Sequence, residues 1–159
     1  MTYKHSQPAS VFSVTNNPSA QSVSTTYIEP TGSRVEIDFS GSTAKIYYKY
    51  CVYAYQSGSD APLLHFKLQK SNDNFASDIE DVSGCLFNYS GDTEENPPDS
   101  QYKSVVAMFV VENLNKKHLR MLVRSYSASR SVSLHRSTQW DGATSADVYF
   151  NPSCICFEV

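Results

Sequence analysis

The chain has 159 residues, with 18% charged and 13% aromatic side chains and a formal net charge of −3. Its 13 Lys and Arg residues are scattered, which argues against a nucleic-acid partner, because a phosphate-binding face needs clustered basic residues. No apolar run approaches the roughly 20 residues that span a bilayer, so we expect no membrane insertion. The start of the chain lacks a secretory signal, so we expect no secretion and four reduced cysteines.

Residues 1–30 show little periodicity and are rich in Ser, Thr, Asn and Pro, a composition typical of an extended arm. Val11, Phe12 and Val14 form a small apolar cluster within it. We expect either that this cluster docks on a neighbouring protein or that it belongs to a frayed terminus. The sequence therefore predicts an N-terminal arm over 1–30 and one domain over 31–159.

From residue 31 onward, apolar residues recur at every second position, which predicts β-strands. Val35, Ile37 and Phe39 alternate with charged residues, and a longer Tyr-rich strand follows over 44–55. About eight strands and no convincing helix predict an all-β fold, an antiparallel β-sandwich or jelly roll. The remaining strands are predicted at 64–69, 84–89, 105–111, 119–126, 132–136, 148–150 and 152–159.

No catalytic motif is present: the sequence has no G-x-S-x-G, no H-E-x-x-H and no Gly-rich phosphate loop. The four His residues occur singly, and Cys154 and Cys156 supply only half of a zinc site. We therefore expect no enzymatic activity, no metal and no cofactor. Binding is more plausible, and the exposed loop aromatics Tyr102 and Trp140 are candidate contacts because Tyr and Trp are favoured at interfaces.

A polar Thr/Tyr lead-in over 24–32 precedes a strand over 34–39, and a Ser/Thr turn then opens the next strand over 42–47. Residues 134–137 read Leu-His-Arg-Ser, and the closing stretch 153–159 ends in Glu-Val. In this order, the segments resemble structural proteins of tailed phages, many of them from marine and cyanobacterial hosts. The stretch 134–137 is similar to the apolar-x-Arg-Ser segment before that family's last hairpin, and 153–159 is similar to its terminal strand.

This resemblance implies a trimeric jelly roll of the tumour-necrosis-factor or complement-C1q type (TNF/C1q-like). It further implies a virion structural protein, made in the host cytoplasm, that decorates or cements the particle surface. Its partners would be two further copies of itself and the major capsid protein or other virion proteins, which the cluster of Val11, Phe12 and Val14 would latch onto. The expected trimer interface lies on the Tyr-rich strand and the terminal strand, at Tyr48, Tyr50, Ile155 and Phe157.

The alternative is a tail-fibre tip, a receptor- or carbohydrate-binding module for a host-surface glycan. In that case Tyr102 and Trp140 would stack on sugar rings at an exposed end of the domain. A fibre tip usually follows a long shaft, and the sequence has no shaft repeat. The decoration protein is therefore the preferred hypothesis.

Overall fold

The computed structural model describes residues 10–16, 18–39, 41–57, 64–82, 85–88, 101–125, 131–135 and 151–159. These parts of the chain are all-β, and their eleven strands pair antiparallel in two sheets. The predicted all-β, antiparallel two-sheet class is thereby confirmed. No helix in the described ranges is long or apolar enough to cross a lipid bilayer. The strands are β1 Ser10–Val14, β2 Gln21–Val23, β3 Val35–Glu36, β4 Ala44–Ser57, β5 Leu64–Ser71, β6 Glu80–Val82, β7 Cys85–Asn88, β8 Gln101–Leu114, β9 His118–Ser125, β10 Ser131–Leu134 and β11 Ser153–Glu158.

The larger sheet has seven strands arranged around β4. One edge of β4 pairs along nearly its whole length with β8, and β8 pairs in turn with β7. The other edge of β4 pairs first with β11 and then with β10. β1 lies outside β11 and β2 lies outside β10. A 14-residue strand can serve both partners because each of them is much shorter.

The smaller sheet has the order β3-β9-β5-β6. An isolated bridge between Ile28 and Val123 extends the edge of β9 beyond β3. The segment before β3 therefore also lies along this sheet. Its position brings Tyr27 and Glu29 close to side chains of β9 and β5, as described below.

One hydrophobic cluster lies between the two sheets, consistent with a β-sandwich. Strand alternation explains it: Tyr48 and Tyr50 of β4 point inward and are buried, whereas their odd-numbered neighbours are half-exposed. The hydroxyl of Tyr48 donates to the carbonyl oxygen of Ser33, and that of Tyr50 donates to the carbonyl oxygen of Thr31 at 2.7 Å. These bonds hold the turn before β3 against the larger sheet.

The N-terminal segment contributes to the sheet. β1 and β2, which lie within the predicted arm over 1–30, are paired with β11 and β10 of the same chain. Local composition gave no indication of these pairings, because both strands are short and rich in Ser and their partners lie near the other end of the chain. The predicted strand at 148–150 lies outside the described residues.

His135 follows β10 and is fully buried at a positive φ of 62°. Its amide donates to the carbonyl oxygen of Tyr53 at 2.8 Å, but neither ring nitrogen has a hydrogen-bond partner among the described residues. Burial without a partner disfavours the imidazolium and lowers the pKa of His135 to about 4 from its ordinary 6.5.

This lowered pKa makes folding sensitive to mild acid. Between pH 6.5 and 4 the unfolded chain binds the His135 proton and the folded chain does not. The free energy of unfolding is therefore expected to fall by about 2 kcal/mol as pH drops across that window. Urea unfolding at a series of pH values measures this change in the free energy of unfolding. His135→Asn, which tolerates the positive φ, is expected to remove the part of this slope between pH 6.5 and about 5.5, above the range in which carboxylates titrate. His118→Asn, at a half-buried histidine, retains His135 and is expected to retain that part of the slope. A slope over this upper range that survives His135→Asn contradicts the assignment.

Candidate functional site

β1 carries two of the most exposed large apolar side chains among the described residues. Phe12 is 69% exposed and Val14 is 44% exposed, whereas Val11 points inward and packs against the core. Phe12 lies beside Ile155 of β11 in the ladder. The predicted docking cluster is therefore divided: two of its side chains face outward and one supports the fold.

The outward side chains of β1, β11, β4 and β8 form one continuous surface, because residues paired across antiparallel strands point to the same side. One row runs through Phe12, Ile155, Lys49 and Met108. We call this surface the association face. Its apolar members are Phe12, Val14, Ile155, Phe157, Tyr47, Val106, Met108 and Val110.

The centre of the association face is ordered by side-chain contacts. The rings of Tyr47 and Phe157 lie 4.9 Å apart between centroids, with 33° between their planes. The hydroxyl of Tyr47 also contacts Met108 Sδ at 2.9 Å. Such contacts fix the rings in place, so a partner that covers them loses little side-chain entropy.

Charge is sparse on this face. Lys45 and Glu112 form an ion pair of 2.9 Å, and both are exposed. Lys49 lies between Ile155 and Met108 and has no ion-pair partner in the described part of the chain. A half-buried lysine can lay its methylene stem along apolar neighbours, so Lys49 interrupts the patch less than its charge implies.

Further along β4, a cavity of about 170 Å³ opens beside Cys51. Its other lining residues are Val52, Tyr53, Ser104 and Asn151. No nucleophile–base pair is apparent among them. Within the described ranges, no group of three His, Cys, Asp or Glu side chains is close enough to bind a metal ion.

The predicted interface residues fall on opposite faces of the larger sheet. Ile155 and Phe157 are half-exposed on the association face. Tyr48 and Tyr50 point into the core and are 0% and 1% exposed. Because one chain already covers them, their rings are not available as surface for a second copy, and this part of the expectation is corrected. Burial raises the pKa of the Tyr48 hydroxyl well above 10, so it remains a hydrogen-bond donor.

Cys154 and Cys156 are both fully buried, and burial raises the pKa of each thiol to about 12. Such thiols stay protonated at neutral pH, whereas nucleophiles and metal ligands are thiolates. They act as small apolar residues of the core.

Tyr102 lies on β8 opposite Tyr55, but the position of its side chain is not described. Trp140 lies wholly outside the described residues. The predicted sugar-stacking pair therefore stays a prediction.

The sequence-based reasoning missed Tyr47, Val106, Met108 and Val110. A signal for three of them was present in β8, where Val105 to Val111 is a nearly unbroken apolar run instead of an alternating one. Such a run indicates a strand with apolar residues on both faces, hence an outer face suited to being covered.

A comparison with models of known protein families gives no match, and a comparison with curated protein sequences gives none either. The arrangement of the association face is therefore the main guide to function.

Proposed function

We propose that this protein is a structural component of a phage particle, a homotrimeric jelly roll that decorates or cements the capsid surface. The observation that carries the proposal is the association face, an apolar and ordered outer sheet surface with little charge. Soluble monomers rarely expose such a continuous patch, and patches of this kind mark protein–protein interfaces. The phage assignment itself rests on the resemblance of the segments over 24–47 and 134–159.

The strand pairing supports the jelly-roll part of the proposal. Five antiparallel pairs are nested along the chain: β1 with β11, β2 with β10, β3 with β9, β4 with β8, and β5 with β6. The first, second and fourth pairs lie in the larger sheet, and the third and fifth lie in the smaller sheet. A long hairpin wrapped into two sheets in this way has the connectivity expected of two Greek keys.

The position of β1 supports a division of roles within the association face. β1 is the outermost strand beside β11, so Phe12 and Val14 lie at the edge of the face, whereas Phe157 and Tyr47 lie nearer its middle. In the proposal, the middle of the face forms the trimer contact and the β1 edge contacts the major capsid protein. Edge strands readily pair with other chains, which suits this second role.

The oligomer is tested by light scattering. We expect a mass near three times the 17.8 kDa of one chain. Phe157→Asp places a charge in the trimer contact and is expected to weaken assembly by at least about thirtyfold. Ile79→Asp is the matched control, because Ile79 is 47% exposed but lies outside the association face. A monomeric wild-type protein, or equal effects of both substitutions, contradicts the trimer contact.

Particle binding is tested separately by co-sedimentation with phage particles stripped of their surface proteins. Phe12→Asp is expected to abolish co-sedimentation while leaving the trimer intact, because Phe12 is at the edge of the face and is largely exposed in its own chain. A trimer that ignores the particles but binds host cells would instead support the fibre-tip alternative.

A further inference from the structure

The opposite side of the protein, the outer face of the smaller sheet, has a different chemistry. Its side chains come from alternate positions of β5 and β9 and from the segment before β3. They are polar, charged or aromatic, and Leu122 is the single aliphatic side chain on it in the described part of β5 and β9. A surface with so few aliphatic side chains is a poor protein–protein interface.

At one end of this face, the arginines are fully engaged. Arg34 donates from Nε and Nη2 to the Glu29 carboxylate at 2.9 and 2.7 Å. Arg120 donates to Glu29 at 3.2 Å and twice to Gln69 Oε1 at 2.9 and 2.8 Å. Both guanidinium groups also lie over the ring of Phe75, at 5.0 and 4.2 Å from its centroid. This end is a closed structural network.

At the other end, Arg124 is not engaged in this way. Its Nη2 contacts His65 Nδ1 at 3.2 Å, and its guanidinium lies 5.0 Å from the centroid of the Tyr27 ring. No carboxylate within the described ranges pairs with it, and its buried Nε has no hydrogen-bond partner there. Because arginine can only donate, His65 Nδ1 is the acceptor in this contact.

Lys67 adds a second cation to the same corner. Its Nζ lies 4.8 Å from the centroid of the Tyr27 ring and forms an ion pair of 3.1 Å with Asp81. Asp81 therefore offsets the charge of Lys67, and the charge of Arg124 has no carboxylate partner among the described side chains. The corner formed by Tyr27, His65, Lys67 and Arg124, which we call the Tyr27 corner, carries one uncompensated positive charge among the described side chains.

We propose that the Tyr27 corner binds the carboxylate of an acidic saccharide. A single excess charge matches a monoanion, and the planar guanidinium fork of Arg124 matches the two oxygens of a carboxylate. The half-exposed ring of Tyr27 and the exposed hydroxyl-bearing residues before it supply the amphipathic surface that a sugar ring needs. The scarcity of aliphatic side chains on this face favours a saccharide over an acidic protein segment. This site is independent of the association face.

The probe is trigalacturonic acid, titrated into the full chain and followed by calorimetry. We expect millimolar or tighter binding, with no binding of the methyl ester, which keeps the sugar rings but lacks the charge. Arg124→Gln is expected to weaken binding at least about tenfold, since a hydrogen bond to a charged group is lost. Arg34→Gln, an arginine of the same face already paired to Glu29, is the matched control and is expected to bind as the wild type does.

Lys67→Gln provides a second variant in case Arg124→Gln does not fold, and it is expected to weaken binding at least about threefold. Equal binding of the ester, unchanged binding by both variants, or no binding up to about 20 mM overturns the proposal. Equally tight binding of a glutamate-rich peptide overturns the saccharide assignment in favour of a protein partner.

Discussion

Tyr48→Ala is expected to lower the free energy of unfolding by about 3–5 kcal/mol. Tyr48 is fully buried between the sheets, and its ring lies edge-on to Phe109 with 6.2 Å between centroids. Removing the ring leaves a cavity in a close-packed core and also leaves the carbonyl oxygen of Ser33 without its donor. Urea unfolding with linear extrapolation measures the change.

Tyr47→Ala is the matched control, because Tyr47 directly precedes Tyr48 in β4 and carries the same side chain on the opposite face of the sheet. In the dissociated chain it is expected to cost about 1 kcal/mol, mainly the contact with Phe157. In the proposed trimer it also removes interface area, so its apparent stability depends on protein concentration. The Tyr48→Ala effect carries no such dependence. Equal, concentration-independent losses for both variants contradict the assignment of the two faces.

Gly32→Ala is expected to lower the free energy of unfolding by about 2–5 kcal/mol. Gly32 has a φ of 80°, in the left-handed region that costs a residue with a Cβ about 1–2 kcal/mol. An added Cβ would also overlap Thr15 Oγ1 and lie 3.2 Å from Thr15 Cβ, adding about 1–3 kcal/mol of overpacking. Thermal and urea unfolding of the two proteins measure the difference.

The two causes can be separated. Thr15→Ala in the Gly32→Ala background removes the overlapping oxygen and is expected to recover the overpacking part but not the backbone part. Gly41→Ala is the matched control, because its added Cβ would meet no atom closer than 3.6 Å and its φ is not positive. A Gly41→Ala loss as large as that of Gly32→Ala would show that the close approach to Thr15 is not the cause.

The all-β class was predictable because its signal is local. Alternation in β5 and the long apolar stretches of β4 and β8 are visible in short windows of sequence. Alternation also groups Tyr48 and Tyr50 with Ile46 and Val52 on one face of β4. What alternation does not reveal is which side of a Tyr-rich strand the core covers. Tyr48 lies on the side that the core covers, and Tyr47 lies on the outer side.

The pairings that build both candidate sites are not local. Phe12 becomes part of the association face only through its pairing with Ile155. Glu29 and Arg120 are in contact although 91 positions separate them in the sequence. Tyr27, Lys67 and Arg124 come from three separate segments, and both cations lie over the Tyr27 ring. A single sequence gives no measure of such distances. Composition therefore predicts an arm at 1–30, where the structure has two strands of the larger sheet over 10–14 and 21–23.

The pairing of β1 with β11 also determines when the protein can finish folding. Val11 lies opposite Cys156, so the ladder between them closes only after the chain has left the ribosome as far as β11. Until then the edge of β4 that pairs with β11 has no partner there. A chain so dominated by long-range contacts is expected to fold on the millisecond-to-second scale. The yield of folded protein in cells is therefore expected to depend on growth temperature and chaperone supply. The equilibrium free energy of unfolding is expected to depend on them less.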